Sequence, residues 1–287
     1  MKINKVVIDK DKHLAPLGDL AQPVHELFYR GDSFINHLDR PMVAVVGSRK
    51  VSAYGRQVTQ TITSELVRAG VVIVSGLALG VDSIAHQAAL EANGATIAVL
   101  PCGIDKIYPS SHFHIAHSIV QQGGALVSEY PAGSDSPMKY QFIARNRVIA
   151  GLAQAVLITE AAVKSGSLHT AEFALEQGKD VFAVPGNITS PTSTGTNNLI
   201  KNGAIPVTNV ADILDVLGIS ATVSSQTYIP QNKNESIIMS LISQNIGNPE
   251  LLQHKSSLEP TLFNSTLSCL EINGAIIQTN SGRWILA

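Results

Sequence analysis

Short apolar runs recur along the first two thirds of the chain, and polar or glycine-rich segments separate them. The runs are nearly continuous and rich in valine and isoleucine, which predicts strands buried on both faces of a parallel sheet. The six runs cover residues 42–48, 71–76, 95–103, 125–131, 155–161 and 180–186. Between the first two, an apolar stripe with i, i+4 spacing predicts a helix from Tyr54 to Ala69, which Gly70 ends. The repeat of about 25 to 30 residues predicts a doubly wound, mainly parallel α/β sheet.

The same pattern divides the chain into four parts. Residues 1–40 form a short N-terminal segment, in which PVHELFYRGD (residues 23–32) predicts one helix packed on the sheet. The α/β domain covers residues 41–218, and a linker rich in Ser, Thr, Gln and Asn covers residues 219–233. Residues 234–287 predict three short helices and a hairpin, which together indicate a small C-terminal winged-helix domain.

The charge of this C-terminal segment changes what it is expected to bind. Its hairpin is predicted to turn at Asn280–Gly282. The segment has only two basic residues, Lys255 and Arg283. Four glutamates oppose them, at positions 235, 250, 259 and 271. Because a helix that binds duplex DNA needs more positive charge, we expect protein contact or a weak role for this segment.

Composition restricts the class of protein and its compartment. A chain of 287 residues with 45% apolar and 15% charged residues is globular, with about two domains. Its net charge of −2 excludes coating of nucleic acid through bulk charge, so a site for a polyanion must be local. Cys102 and Cys269 fall in different predicted domains and indicate free thiols in a reducing compartment. Without a signal peptide or a long apolar run, we expect a cytoplasmic protein with no membrane partner.

The residues that follow the predicted strands are the first candidates for a binding site, because ligands of open α/β sheets bind at the carboxyl ends of the strands. Small residues there let backbone N–H groups approach a phosphate, and a helix N-terminus adds a favourable dipole. The candidates are Gly47, Ser48 and Arg49 after the first strand, Lys164, Ser165, Gly166 and Ser167 after the fifth, and Gly76, Gly80 and Asn187 in other turns. The alternative is that the glycines serve only tight turns. Neither the dinucleotide-binding fingerprint nor the P-loop is present.

A second group of candidates lies in PMKYQFIARNRVIAG, residues 137–151. Lys139 and Phe142 are three residues apart, so one helical face presents a cation and a ring. A cation that neutralises a phosphate beside a ring that stacks a base is a minimal unit for binding single strands. Burial of Phe142 in the core is the alternative. Arg145 and Arg147 are interpreted as structural residues, which cap carbonyls or pair with the acids at positions 129 and 160.

Several patterns that could suggest a metal or a catalytic centre are interpreted as structural. They are His112, His114 and His117, the pair Asp82 and His86, Glu172, and Cys102. The three histidines lack a nearby cysteine or acid to complete a metal site. Asp82 is interpreted as a helix cap and His86 as a hydrogen-bonded helix residue. We therefore expect no catalytic residue, no metal and no cofactor.

Taken together, six blocks of the α/β domain resemble the DprA (Smf) family, the DNA-processing proteins of natural transformation. The blocks are VAVVGSRKVSAYG, SGLALGVDSIAHQAAL, GGALVSEYP, FIARNRVIAGLA, KSGSLHTAEFALEQGKDVFAVPG and TSPTSTGTNNLIKNGA. They keep the family's order between residues 42 and 205, whereas the tail resembles the family's winged-helix domain more loosely. Relatives often carry a complete helical N-terminal domain, of which residues 1–40 look like a linker remnant.

The resemblance implies an extended Rossmann-like domain that binds single-stranded DNA without sequence preference and without catalysis. It also implies a homodimer that protects incoming strands and helps load the RecA recombinase onto them. On matching positions, it assigns phosphate contacts to Gly47, Ser48 and Arg49, a second basic contact to Lys139, and base stacking to Phe142. The loop that lines the same pocket consists of Lys164, Ser165, Gly166 and Ser167.

An enzyme of another class remains an alternative at this point. The segment SGSLHTAE resembles the PGGxGTxxE motif of phosphoribohydrolases, which release a base from a nucleoside monophosphate, and Glu172 stands where that motif has its acid. Ser165 and Leu168 replace parts of the motif, and the paired glycines are missing. A third possibility is a scaffold whose pocket binds no nucleic acid.

Overall fold

The structure is a computed structural model that describes residues 2–134, 137–219, 230–244, 246–278 and 282–286. It divides into two compact units between residues 222 and 223. Among the described residues, no helix is both long and apolar enough to cross a membrane.

The first unit is built on a nine-stranded sheet in the order β1-β2-β6-β5-β4-β3-β7-β8-β9. Its strands are β1 (Asn4–Val7), β2 (Glu26–Arg30), β3 (Met42–Val46), β4 (Val72–Ser75), β5 (Thr96–Val99), β6 (Ala125–Ser128), β7 (Ala155–Ile158), β8 (Asp180–Ala183) and β9 (Ile205–Pro206). All pairs from β3 to β9 are parallel, whereas β1 and β2 pair antiparallel with each other and β2 pairs antiparallel with β6. The six predicted strands are therefore confirmed as β3 to β8, and the mainly parallel sheet with them.

Helices cover both faces of this sheet, which explains why its strands are continuously apolar. The helices are α1 (Phe34–His37), α2 (Ala53–Arg68), α3 (Val81–Glu91), α4 (Phe113–Gln121), α5 (Lys139–Leu152), α6 (Ser167–Glu176), α7 (Thr194–Lys201) and α8 (Ala211–Leu214). Alternate residues of β3 enter different cores: Ala44 and Val46 pack in one, Val43 and Val45 in the other. The helix predicted over residues 54–69 is confirmed as α2, and the Ser52 side chain caps it by accepting from the Gly55 N–H.

The helix predicted at residues 23–32 is wrong, because residues 26–30 form strand β2. Side chains alternate there: Leu27 and Tyr29 pack in the core on one face of the sheet, whereas Phe28 packs in the core on the other. This period of two is the pattern of a strand, and Gly31 with φ of 117° follows its end. β1 was not predicted from the sequence. Residues 4–30 thus extend the sheet rather than preceding it as a separate segment.

The second unit contains three helices and a pair of antiparallel strands. These are α9 (Lys233–Ser243), α10 (Pro249–Ser256), α11 (Pro260–Ile272), β10 (Ile276–Gln278) and β11 (Trp284–Leu286). The unit has a core of its own, which includes Ile238, Leu252, Phe263, Leu270 and Trp284. The three helices agree with the sequence prediction, whereas the predicted turn at residues 280–282 lies mostly outside the described residues. Its assignment as a winged-helix domain stays a prediction.

Candidate nucleic-acid interface

A cavity of about 780 Å³ opens beyond the carboxyl ends of β3 and β7, with α5 as one of its walls. We call it the strand-end cavity. All of the predicted DNA-contacting residues line it, namely Gly47, Ser48, Arg49, Lys139, Phe142, Lys164, Ser165, Gly166 and Ser167. Residues separated by more than 100 positions in the sequence are therefore brought together at one site. Among the described residues, its lining contains five lysines and arginines and one carboxyl, that of Asp82.

The turn after β3 is held in place by its own backbone and by neighbouring segments. The Ser48 N–H donates to the Glu160 carbonyl at 2.7 Å, and the Ser48 hydroxyl donates to the Lys50 carbonyl at 2.9 Å. A Cβ atom on Gly47 would lie 2.7 Å from both the Glu160 carbonyl oxygen and a Val81 methyl group. The glycine is therefore required for close packing, and this packing orients Arg49 towards the cavity.

The first turn of α5 presents Lys139 and Phe142 to the same cavity. The Met138 N–H donates to Gln141 Oε1 at 2.5 Å, which fixes the beginning of the helix. Lys139 is exposed, and Phe142 is partly buried. The guanidinium carbon of Arg49 lies 5.4 Å from the centre of the Phe142 ring, a cation–π contact. Arg49 and Phe142 thus form one surface although they come from different elements.

The loop after β7 leads into the N-terminus of α6. The Ser165 and Ser167 hydroxyl oxygens are 2.8 Å apart, and the Asn146 side chain donates to the Gly166 carbonyl at 3.2 Å. This last bond ties the loop to α5. Ser165 partly satisfies the first N–H groups of α6, because its hydroxyl accepts from the Ser167 N–H at 3.4 Å and its carbonyl accepts from the Leu168 N–H at 3.1 Å. The positive end of the helix dipole still favours an anion at this loop.

Three cations around the cavity form no ion pair with a described residue. Within the described part of the chain, the side chains of Arg49, Lys139 and Lys164 make no hydrogen bond or ion pair. Uncompensated cations beside a helix N-terminus attract an anion, and the partly buried ring of Phe142 offers an apolar surface beside them. The arrangement is suited to a ligand that carries both phosphates and aromatic bases.

Arg145 forms part of the floor of the cavity and is 5% exposed. Its Nη1 atom donates to the carbonyls of Gly76 and Val99, both at 2.6 Å. Burial lowers the pKa of Arg145 to about 10, so the side chain is charged at neutral pH. Burial also raises the pKa of the Asp82 carboxyl, and the positive charge of Arg145 opposes this rise. The structural interpretation of Arg145 is confirmed.

The other structural interpretations are confirmed in part. Arg147 Nη2 donates to Glu129 Oε1 at 2.7 Å, as expected. Pairing of an arginine with Glu160 is wrong, because that carboxylate accepts from the N–H and the hydroxyl of Ser52 and so supports the start of α2. Asp82 caps the loop before its helix rather than the helix itself, since it accepts from the Gly76 N–H at 3.1 Å.

His86, His112, Cys102 and Glu172 each have a structural partner. His86 Nδ1 lies 2.7 Å from the Thr96 hydroxyl, and burial lowers the pKa of His86 to about 3. His112 Nδ1 lies 2.8 Å from the Leu77 carbonyl, and burial raises the pKa of the Cys102 thiol to about 11. Glu172 is exposed and bonds to His169 rather than lining the cavity. Across the described residues, no cluster of three or more His, Cys, Asp and Glu could hold a metal.

Three predicted phosphate-turn residues lie elsewhere. Gly76 borders a small recess beside the strand-end cavity, and its N–H is taken by Asp82. Gly80 has φ of 83°, and a Cβ there would clash with the Ser48 carbonyl oxygen. Gly80 therefore packs against the turn after β3. Asn187 lines a separate cavity with Tyr54 and bonds to Thr189.

Other residues that line the cavity were not predicted from the sequence. They include Lys50, Tyr108, Asn146, His169 and Thr192. Lys50 directly follows Arg49, so its position carried a signal. Asn146 lies between Arg145 and Arg147, which were interpreted as structural, so its position carried none. Tyr108 comes from the loop between β5 and α4, and only the packing of that loop brings it to the cavity.

α5 also borders a second cavity, of about 660 Å³, on another of its faces. Its lining includes Asp19, Leu20, Tyr140, Arg147, Phe173, Glu176 and Lys179. None of the residues predicted to bind DNA lies here. We call it the second cavity.

The chain matches the family model described as DNA recombination-mediator protein A over residues 5–218. It belongs to this family. The match covers the α/β unit, including the antiparallel strands β1 and β2, and ends before the second unit. The family resemblance noted in the six sequence blocks is confirmed.

Relatives in the family agree with this assignment. Protein Smf of Escherichia coli K12 is 49% identical over 191 residues, which are 67% of this chain and 50% of that protein. DprA of Bacillus subtilis 168 is 39% identical over 215 residues, which are 75% of this chain and 71% of that protein. The chain thus matches between half and about 70% of the length of these relatives.

Solved structures show the same fold. The X-ray structure of DprA from Streptococcus pneumoniae has a TM-score of 0.68 at 41% identity and covers 75% of this chain and 74% of its own. DprA from Helicobacter pylori, whose structure is described for its single-stranded DNA binding mode, has a TM-score of 0.67 at 35% identity. That match covers 76% of this chain and 96% of the H. pylori chain.

Proposed function

We propose that this family member binds single-stranded DNA in the strand-end cavity, without sequence preference and without catalysis. The observation that carries the proposal is the set of unpaired cations, Arg49, Lys139 and Lys164, around the ring of Phe142. Single-strand binding combines such cations, which contact the backbone, with aromatic rings, which stack bases of any identity. The H. pylori relative, described as binding single-stranded DNA, supports the choice of ligand.

The geometry supports a separate role for each part of the cavity. Arg49, Lys139 and the loop of Lys164 to Ser167 contact phosphates, with the first N–H groups of α6 adding their dipole. Gly47 and Ser48 hold the turn that carries Arg49. Phe142 stacks a base, and Arg49 on the same ring couples the base contact to the phosphate contact. No contact of this kind selects one base over another.

The cellular role rests on the family. We infer a recombination mediator that acts in the cytoplasm as a homodimer, protects strands taken up in natural transformation and helps load RecA onto them. The family description as a recombination mediator supports the general role. In this proposal residues 41–218 bind DNA, and the winged-helix domain contacts protein, in keeping with its excess of acids.

Fluorescence anisotropy of labelled oligo-dT tests the proposal with the full chain across a salt series from roughly 50 to 200 mM. Arg49→Ala and Lys139→Ala are expected to weaken binding and to reduce the salt slope by about 0.7 for each phosphate that is no longer neutralised. Phe142→Ala is expected to weaken binding with an unchanged slope, because stacking of a base releases no counterions. Arg68→Ala is the matched control, since Arg68 is exposed in the last turn of α2 and does not line the cavity.

If the unmodified protein fails to bind oligo-dT at moderate salt, the proposal is wrong. If it binds but the Arg49 variant behaves like the Arg68 control, binding occurs elsewhere on the protein. Release of ribose 5-phosphate from a nucleoside monophosphate would instead support the phosphoribohydrolase alternative.

A further inference from the structure

The packing of Tyr108 does not explain why this aromatic residue is exposed. Its ring lines both the strand-end cavity and the adjoining recess, and the residue is 45% exposed. Its hydroxyl makes no hydrogen bond to any other described residue. No hydrogen bond to the described protein therefore holds the ring by its polar end, and the ring is available to a ligand through its apolar surface.

The loop that carries Tyr108 is fixed at several points. The Ser128 hydroxyl donates to the Cys102 carbonyl at 2.6 Å, and the Gly133 N–H donates to the Asp105 carboxylate at 3.1 Å. Immediately after Tyr108, the His112 N–H donates to the Pro109 carbonyl at 3.0 Å. Because this backbone is already ordered, a ligand that stacks on Tyr108 loses little affinity to ordering of the loop.

Tyr108 contacts the ring that the proposed function assigns to base stacking. The centres of the Tyr108 and Phe142 rings are 5.2 Å apart, and their planes meet at 67°. One flat base cannot lie parallel to both rings at that angle, so a base stacked on Tyr108 would be a different base from one stacked on Phe142. Leu79, which is 51% exposed, borders the same recess and widens the apolar surface beside Tyr108.

We propose that Tyr108 is a second base-stacking residue, so that the strand-end cavity holds two bases of a single strand, one on Phe142 and one on Tyr108. The inference rests on the proposed function, since it assumes that the strand lies in this cavity. It adds an interaction made by the ring face alone, which makes the Tyr108 hydroxyl dispensable.

The test compares Tyr108→Ala, Tyr108→Phe and a matched tyrosine, Tyr140→Ala, by anisotropy with oligo-dT. Tyr140 is 63% exposed on the same unit but lines the second cavity. Tyr108→Ala is expected to bind about 5- to 100-fold more weakly with an unchanged salt slope, the effect of removing one stacking ring. Tyr108→Phe and Tyr140→Ala are expected to bind within about twofold of the unmodified protein, because neither removes a ring face from the cavity.

A second measurement does not depend on the alanine variant being folded. Tyr108→Trp is made together with Trp284→Phe, which removes the chain's single tryptophan from the core of the second unit. Unlabelled oligo-dT is expected to quench the new tryptophan in step with the binding curve, because stacked bases quench indole fluorescence.

The outcomes separate this inference from the function on which it rests. If the unmodified protein does not bind oligo-dT, the proposed function itself fails. If it binds and Phe142→Ala weakens it, but Tyr108→Ala binds normally and the tryptophan is not quenched, only the role of Tyr108 is overturned. Weakening of Tyr108→Phe to the level of Tyr108→Ala would also overturn it, by showing that the hydroxyl makes the contact.

Discussion

Two cavities of similar volume, about 780 and 660 Å³, border the same helix, α5, yet their charged residues behave differently. In the strand-end cavity, Lys139 projects from α5 without a partner among the described residues. In the second cavity, Arg147 of the same helix is ion-paired with Glu129. Lys179 there donates to the carbonyls of residues 150 and 151 at 2.7 and 2.8 Å. The two cavities therefore differ less in size than in unpaired charge, and unpaired charge is the feature on which the proposed anion site rests.

The same comparison holds within the strand-end cavity, between its floor and its rim. Arg145 and Lys139 lie less than two turns apart on α5. Arg145 is buried and bonded to two carbonyls, and Lys139 is exposed. One stabilises the fold and the other is available to a ligand. The following changes are ordered by the size of the effect that we expect.

The largest effect is expected for Arg145→Met. The variant removes both hydrogen bonds to carbonyls and the larger of the two positive charges that act on Asp82, so the free energy of unfolding falls by about 3 to 5 kcal/mol. Thermal or urea denaturation measures the change. Arg145→Met with Asp82→Asn should regain part of this stability, whereas Lys139→Met should unfold like the unmodified protein. Equal stability of Arg145→Met and Lys139→Met would contradict the division between floor and rim.

Reversal of charge in the two cavities should differ almost as strongly. Arg49→Glu places a carboxylate beside the proposed phosphates and is expected to weaken oligo-dT binding about 100-fold at low salt, or about 3 kcal/mol. Glu176→Lys makes the opposite reversal in the second cavity and is expected to change affinity by less than about twofold at roughly 0.15 M salt, where screening is strong. Anisotropy measures both. A large gain in oligo-dT affinity for Glu176→Lys would show that DNA reaches the second cavity.

Two glycines near the site should separate packing from ligand binding. Gly80→Ala is expected to lower the free energy of unfolding by about 1 to 3 kcal/mol, because φ of 83° and the Ser48 carbonyl oppose a side chain there. Gly166 has no atom within 4 Å of the position of a Cβ, so Gly166→Ala should keep stability within about 0.5 kcal/mol.

The affinity for oligo-dT should distinguish the two glycine variants in the opposite way to stability. Gly166→Ala is expected to weaken oligo-dT binding several-fold, because its methyl group stands between a phosphate and the backbone of the α6 N-terminus. Denaturation and anisotropy on the two variants provide the data. A stable Gly166→Ala protein with unchanged affinity would remove this loop from the interface.

The smallest effect concerns pH and the second cavity. Burial lowers the pKa of Lys179 to about 8 from its ordinary value of 10.5. Between these values the unfolded chain binds more protons than the folded one, so the unfolding free energy rises with pH across this window. Below about pH 8 both states are protonated and the contribution is constant. Unfolding of the unmodified protein and Lys179→Met at about pH 7.5 and about pH 10 measures the difference. No change in that difference would mean that Lys179 is well hydrated.

The sequence predicted the central strands and the position of the site for the same reason. β3 to β8 are buried on both faces, so their continuous apolar runs were distinct. Carboxyl ends of parallel strands meet at one edge, so Arg49 and Lys164 could be placed together although 115 positions separate them. β2 was mistaken for a helix because a strand of five residues, with Leu27 and Phe28 on opposite faces, offers little periodicity to measure.

What the sequence could not predict depends on contacts between loops. Gly76, Gly80 and Gly166 look alike as strand-end glycines, but the structure gives them different neighbours. Gly76 meets the Arg145 guanidinium, Gly80 meets the turn at Ser48, and Gly166 meets open space. Tyr108 carried no signal, because a tyrosine before a proline is common in loops, and only tertiary packing sets its ring against Phe142.

The two carbonyls held by Arg145 have a consequence for how the pocket repels or admits a polyanion. Carbonyl oxygens at the carboxyl ends of β4 and β5 carry partial negative charge and would repel phosphates. The Arg145 guanidinium donates to two of these carbonyls from the floor of the cavity and so offsets their negative charge in the absence of a ligand. Under the proposed function, the affinity for DNA would therefore depend partly on a side chain that is buried from solvent. A survey of surface lysines and arginines alone would overlook it.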